Sequence, residues 1–160
     1  MAITTLGYGA FPAGNIIQVQ STTTNTPVSS TATASNLDLM SVNITPKISS
    51  SKILILVSAI FGQFNPNGGI RLLRDSTNLA TAANTFGGAT GFLVFDDFGA
   101  AGSQYQLSEL SFHHLDSPST TSQVTYTLKG ASNDSMYFNI ASDGSSGFSS
   151  SSISAMEVKV

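Results

Sequence analysis

The stretch KILILVSAIFGQF, Lys52 to Phe64, decides the fold class. Ile53, Ile55, Val57, Ala59 and Phe61 share one parity, and Leu54, Leu56 and Ile60 share the other. Apolar residues at period two, rich in β-branched types and without helix-capping residues, predict a strand. The competing reading of so apolar a run is a buried helix. A strand that is apolar on both faces must be covered on both. In an antiparallel sandwich the facing sheet supplies one cover. The second cover is expected to be a neighbouring subunit, which makes Leu54, Leu56 and Ile60 the candidate subunit interface.

The segments on either side carry the same period. Towards the N-terminus, NIIQVQS (Asn15 to Ser21) sets Ile17 and Val19 against Gln18 and Gln20, and LDLMSVNIT (Leu37 to Thr45) aligns Met40, Val42 and Ile44. Between them, Ser21 to Ser35 is almost wholly Ser, Thr, Asn, Pro and Ala, which reads as a long loop or an edge strand interrupted by Pro27. Towards the C-terminus, Asp75-Ser76-Thr77 between IRLLR and Asn78 to Ala82 predicts a β-hairpin. Thr85 to Gly102 is Gly-rich, with room for one strand at Phe92 to Phe95. Leu110 and Phe112 alternate with Glu109, Ser111 and His113. Leu115 falls on the wrong parity for Leu110, so a bulge is expected near His113-His114. Val124, Tyr126 and Leu128 align, as do Met136, Phe138 and Ile140, and then Met156, Val158 and Val160 opposite Glu157 and Lys159. About eight or nine short strands with turn signals between them predict an all-β fold: an antiparallel β-sandwich, jelly-roll-like. Residues 1–14 are expected to be an N-terminal extended arm and residues 15–160 the sandwich domain. The arm reads either as a disordered tail or as a strap that packs Leu6, Tyr8 and Phe11 on a neighbour.

Composition narrows the function. The 160 residues include no Cys, which removes disulfides, thiol catalysis and Cys-ligated metal. Charged residues make up 9%, against about 25% in ordinary soluble domains. Ser and Thr fill the gap at roughly a quarter of the chain, so the surface is polar but mostly uncharged. The net charge is −3, and the six Lys and Arg form no basic run. Nucleic-acid binding needs clustered cations, so no nucleic-acid partner is expected. No apolar run approaches the ~18 residues of a membrane span, and Met1 to Thr5 lacks the features of a secretory signal.

The chain offers little for catalysis. His113 and His114 are adjacent on an expected strand and so face opposite ways; only a symmetry-related ring of histidines would make a metal site of them. Asp96-Asp97 and Asp143 do not have the spacing of a calcium loop. There is no nucleophile elbow and no Lys-Ser/Thr after the Gly pairs at 68–69 and 87–88. The expectation is therefore a non-enzyme with no catalytic residues, no metal and no cofactor. Asn43-Ile44-Thr45 and Asn133-Asp134-Ser135 match the N-glycosylation pattern by chance.

Four blocks resemble a domain of virion proteins from marine tailed phages, the cyanophage-like group. They are Ile44-Thr45-Pro46 running on through Ser49-Ser50-Ser51-Lys52-Ile53-Leu54-Ile55, Ile70 to Thr77 (IRLLRDST), Leu115 to Tyr126 (LDSPSTTSQVTY) and Ser152 to Val158 (SISAMEV). The resemblance spans roughly 15–160. The chain departs from it at His113-His114, where small or hydrophobic residues are usual, and at Lys47-Ile48 within a Ser-rich stretch. The resemblance implies a trimer-forming jelly-roll module, used at tail-fibre tips or as a small stand-alone virion protein, with no catalytic residues to carry over. With only a short arm before the domain, the expectation is a capsid decoration (cement) protein. It would sit on the head exterior as a homotrimer bound to the major capsid protein, with Leu6, Tyr8 and Phe11 as the docking arm. The alternative is a tail-fibre tip or receptor-binding module, attached to tail proteins and contacting host surface glycans through Phe86, Phe92 and Phe98 in Gly-rich loops.

Overall fold

The structure, a computed structural model, describes residues 7–30, 34–65, 67–79, 84–86, 89–96, 107–132, 135–141, 143–145 and 147–160. These hold twelve strands: β1 (Ile16–Thr24), β2 (Val28–Ser30), β3 (Ala34–Ile44), β4 (Lys52–Asn65), β5 (Asn67–Arg74), β6 (Thr77–Asn78), β7 (Asn84–Phe86), β8 (Ala89–Asp96), β9 (Ser108–Asp116), β10 (Val124–Ser132), β11 (Ser135–Phe138) and β12 (Ser151–Val158). Among the described residues the only helical turn is a 3-10 turn at Tyr8–Ala10. The run from Lys52 is thus a strand, not a helix. Its β-branched alternation wins because each parity meets a different environment.

The strands form two antiparallel sheets. The first has the order β1-β12-β4-β11-β2, with β9 also on β4. β12 pairs Lys52 to Ser58 of β4, and β11 pairs Phe61 to Asn65 farther along. β9 pairs Ile53 to Phe61, overlapping both, so it occupies the opposite side of β4. The second sheet has the order β3-β10-β5-β8-β7, with β6 on β5.

Between the sheets lies one core. Ile53, Ile55, Val57, Ala59 and Phe61 of β4 are buried against Met40, Val42 and Ile44 of β3, Ile70 and Leu72 of β5 and Val124, Tyr126 and Leu128 of β10. Met136 and Phe138 of β11 and Ile153 and Ala155 of β12 complete it, and the rings of Phe61 and Phe138 meet at a centroid distance of 5.4 Å.

Several sequence expectations change. β4 and β9 pair without any register shift, so there is no bulge at His113-His114. Leu115 faces outward instead, and Asp116 turns into the protein. β12 buries Ser151, Ile153, Ala155 and Glu157, which leaves Met156 and Val158 on the outer side. Burial of a carboxylate there follows from its partners. The backbone N–H groups of Lys47 and Ile48 donate to Glu157 at 2.9 and 3.0 Å, and Gln18 Nε2 donates at 2.6 Å. The Gly-rich stretch holds two strands rather than one, since β7 and β8 pair with each other. The hairpin after β5 turns on Asp75-Ser76, a residue shorter than expected, with Thr77 already paired to Arg74 and Asp75 at φ 52; residues 80–82 of the expected second arm lie outside the described residues.

Glu157 has a measurable consequence. Burial pushes its carboxyl up, but the bonds from Lys47, Gln18 and Ile48 outweigh burial and hold it below its ordinary value of 4.5. A depressed folded-state pKa contributes stability that is present above the unfolded value and lost as pH falls through the folded one. Glu157→Gln is therefore expected to destabilise by about 1–3 kcal/mol at pH 6, where an amide replaces an acceptor-only carboxylate. The gap between variant and wild type should shrink below pH 4, as read by urea denaturation at each pH.

Candidate functional site

Among the described residues, apolar side chains gather outside the core on the outer face of the first sheet. The cross-strand registers order it into rows. Val19 of β1, Met156 of β12, Leu54 of β4 and Leu115 of β9 form one row. Ser21, Ser154, Leu56 and His113 form the next, then Thr23, Ser152, Ser58 and Ser111. Ile16, Val158 and Lys52 lie at one end, and Ile60 beside Glu109 at the other. Val19 is 50% exposed, Leu115 49% and Leu56 39%, whereas Ile53, Ile55 and Val57 of β4 and Ile153 and Ala155 of β12, on the inner side, are buried. Apolar residues on both faces of β4 are what the sequence displays. The fold covers only one of them.

The second sheet turns an unlike face outward. Ser41 and Asn43 of β3 lie opposite Thr127 and Thr125 of β10, and Thr125 Oγ1 donates to Asn43 Oδ1 at 2.7 Å. Lys129 pairs with Asp38 at 2.5 Å. The outer side of β3 and β10 is therefore polar and hydrogen-bonded, unlike the apolar row of Val19, Met156, Leu54 and Leu115 on the first sheet.

The structure separates the residues proposed from sequence. Leu54, Leu56 and Ile60 are together on the apolar face, joined by Val19, Met156, Leu115, Ile16 and Val158, which the sequence analysis did not assign to it. The available signal was the parity of Met156 and Val158 opposite Glu157. Parity alone does not say which of the two sets faces the core. Of the arm, Leu6 lies outside the described residues. Tyr8 is exposed, with its ring centroid 5.9 Å from Lys47 Nζ, and Phe11 is half-buried. Lys159 Nζ donates to the carbonyl of Gly9 at 2.6 Å and to that of Phe11, so this part of the arm is held to the end of β12 in its own domain. Phe98 lies outside the described residues. Phe86 and Phe92 are in strands β7 and β8, not in loops. His113 faces outward beside Leu56, and His114 lies on the other side of β9 opposite Ile55. Among the described residues no group of three or more His, Asp or Glu could hold a metal ion.

One polar cluster is buried between the sheets. Asp116 of β9 accepts from Arg74 Nη1 at 2.7 and 2.8 Å and from the Tyr126 hydroxyl at 2.8 Å. Burial first, then the bond to Asp116, raises the Tyr126 phenol well above the usual tyrosine range. A phenol so held keeps its proton, and a carboxylate bound by a cation and a hydroxyl is a fastening between sheets rather than a general base. Compared with protein-family models and with curated proteins, the chain matches none.

Proposed function

We propose that the chain is a structural, non-enzymatic virion protein of a tailed phage, a decoration subunit that binds the capsid exterior as a homotrimer. The observation that carries this reading is the apolar outer face of β1, β12, β4 and β9, left uncovered by the fold itself. Four strands about 4.8 Å apart, over seven residues at about 3.4 Å each, present roughly 450 Å² of plane. Turned towards a threefold axis, each copy's face meets both neighbours, so the three faces of a trimer together present roughly 1,350 Å² of such plane. The polar, hydrogen-bonded outer side of β3 and β10 suits the exterior of a particle, and so does the Ser- and Thr-rich composition. The four sequence blocks that resemble phage virion domains supply the context.

The strand order favours a jelly roll. In chain order the eight long strands are β1, β3, β4, β5, β8, β9, β10 and β12. One sheet takes the first, eighth, third and sixth, and the other the second, seventh, fourth and fifth. Interleaving of two Greek keys across two sheets is the pattern of that fold.

Leu56→Glu places a charge at the centre of the proposed contact, at a position already 39% exposed. The expected outcome is a folded monomer, with an unchanged circular dichroism spectrum and a single-chain mass by light scattering. The role on the particle is tested by immunogold labelling of intact phage with antibody to the recombinant chain. Gold over the heads is expected; gold confined to the tail would replace this reading with that of a tail-fibre tip.

A further inference from the structure

We propose that the contact between copies is acid-labile and that His113 is its proton-sensitive group. The inference rests on the reading of the outer face of the first sheet as the contact between copies of this chain. The charge pattern of that face argues for such an occupant. Lys52 stands at one end and Glu109 at the other, so copies meet across a surface of zero net formal charge. His113 lies within the face. Its cross-strand partner is Leu56, its same-face neighbours on β9 are Ser111 and Leu115, and the row continues through Ser154 to Ser21. With Leu56 and Phe112 it lines a shallow depression.

The groups around His113 decide what a proton does there. On β4 the only titratable group of this face is Lys52, and on β9 it is Glu109; Tyr137 of β11 is farther along the sheet. β1 contributes Val19, Ser21 and Thr23, and β12 contributes Ser152, Ser154, Met156 and Val158, none of them titratable. Glu109 is four residues along the strand from His113, about 13 Å away, and it already accepts from Ser58 Oγ at 2.9 Å. Once a second copy excludes water, no carboxylate among the described residues of this face stands next to an imidazolium. Desolvation disfavours the charged form. The assembled state therefore binds fewer protons than the separated subunits, and association weakens as pH falls through the range in which histidine takes up its proton.

Sedimentation velocity at pH 7.5 and pH 5.0, with circular dichroism at both, tests this on wild type, His113→Gln and His113→Lys. Wild type is expected to be an oligomer at pH 7.5 and to associate at least about 100-fold more weakly at pH 5.0, with its fold intact. His113→Gln should stay oligomeric at both values, and His113→Lys should be a folded monomer already at pH 7.5. Equal association of wild type at both pH values overturns the inference and leaves the interface standing, and so does acid dissociation of His113→Gln that matches wild type. A folded wild-type monomer at pH 7.5 overturns the interface as well.

Discussion

Gly62→Ala is expected to destabilise the fold severely by the addition of a single methyl group. A Cβ at Gly62 would lie 2.3 Å from the carbonyl oxygen of Ile140 and 2.8 Å from the Cα of Ala141. Both are backbone atoms, so no side-chain rotation relieves the clash. Nor is that backbone free to retreat. Asn139 stands at φ 59 and is fully buried, and its N–H donates to the Ile60 carbonyl at 2.9 Å. The Asn139 side-chain amide donates to the Thr24 carbonyl at 3.0 Å. Ser151 Oγ donates to Asn139 Oδ1 at 2.6 Å and accepts the Ile60 N–H at 2.8 Å. This knot sits where β4 exchanges its partner β12 for β11, and the close approach of two backbones there requires glycine. The expected loss is at least about 3 kcal/mol, the upper end for overpacking, read as a drop in urea midpoint or as failure to accumulate soluble protein. Gly9→Ala, where nothing lies within 4 Å of the added carbon, is the control; it should change stability by less than about 0.5 kcal/mol.

The second large effect is expected at Asp116. Its carboxylate is the point where β9 of the first sheet is fastened to β5 and β10 of the second, through Arg74 and Tyr126. Asp116→Ala leaves a largely buried guanidinium and a fully buried hydroxyl without that acceptor. Removing one partner of a buried pair costs about 3–5 kcal/mol, far more than the pair gains over an apolar substitute. Tyr126→Phe removes one hydrogen bond and should cost only about 1–1.5 kcal/mol. Chemical denaturation of Asp116→Ala, Tyr126→Phe and the double variant checks both. The double variant should be no worse than Asp116→Ala by more than about 0.5 kcal/mol, since both changes break the same bond.

These two sites show what the sequence made legible and what it hid. Strand periodicity gave the all-β class because Val124 to Leu128 and Met40 to Ile44 alternate apolar with polar, and their apolar parity is the buried one, while Ile53 to Phe61 has β-branched Ile53, Ile55 and Val57 on the parity that is buried. The same rule does not place β12. Met156 and Val158 are apolar and Glu157 is charged, yet Glu157 is buried, because its donors come from Gln18, Lys47 and Ile48, more than a hundred residues away in sequence. Leu115 was misjudged in the same way: Asp116 points inward because Arg74 and Tyr126 are waiting for it. In each case a long-range hydrogen bond reversed the face that hydrophobicity alone would choose, and local periodicity contains no trace of such a bond. The candidate interface was half legible. The second apolar parity of β4 pointed to it, but its extent across four strands needed the register.

The measurement that tests the central claim most directly is sedimentation equilibrium of the purified chain at pH 7.5. Assembly as a homotrimer through the outer face of the first sheet predicts a single species at three times the 16.6 kDa chain mass. A folded protein that stays at 16.6 kDa at micromolar concentration would contradict it.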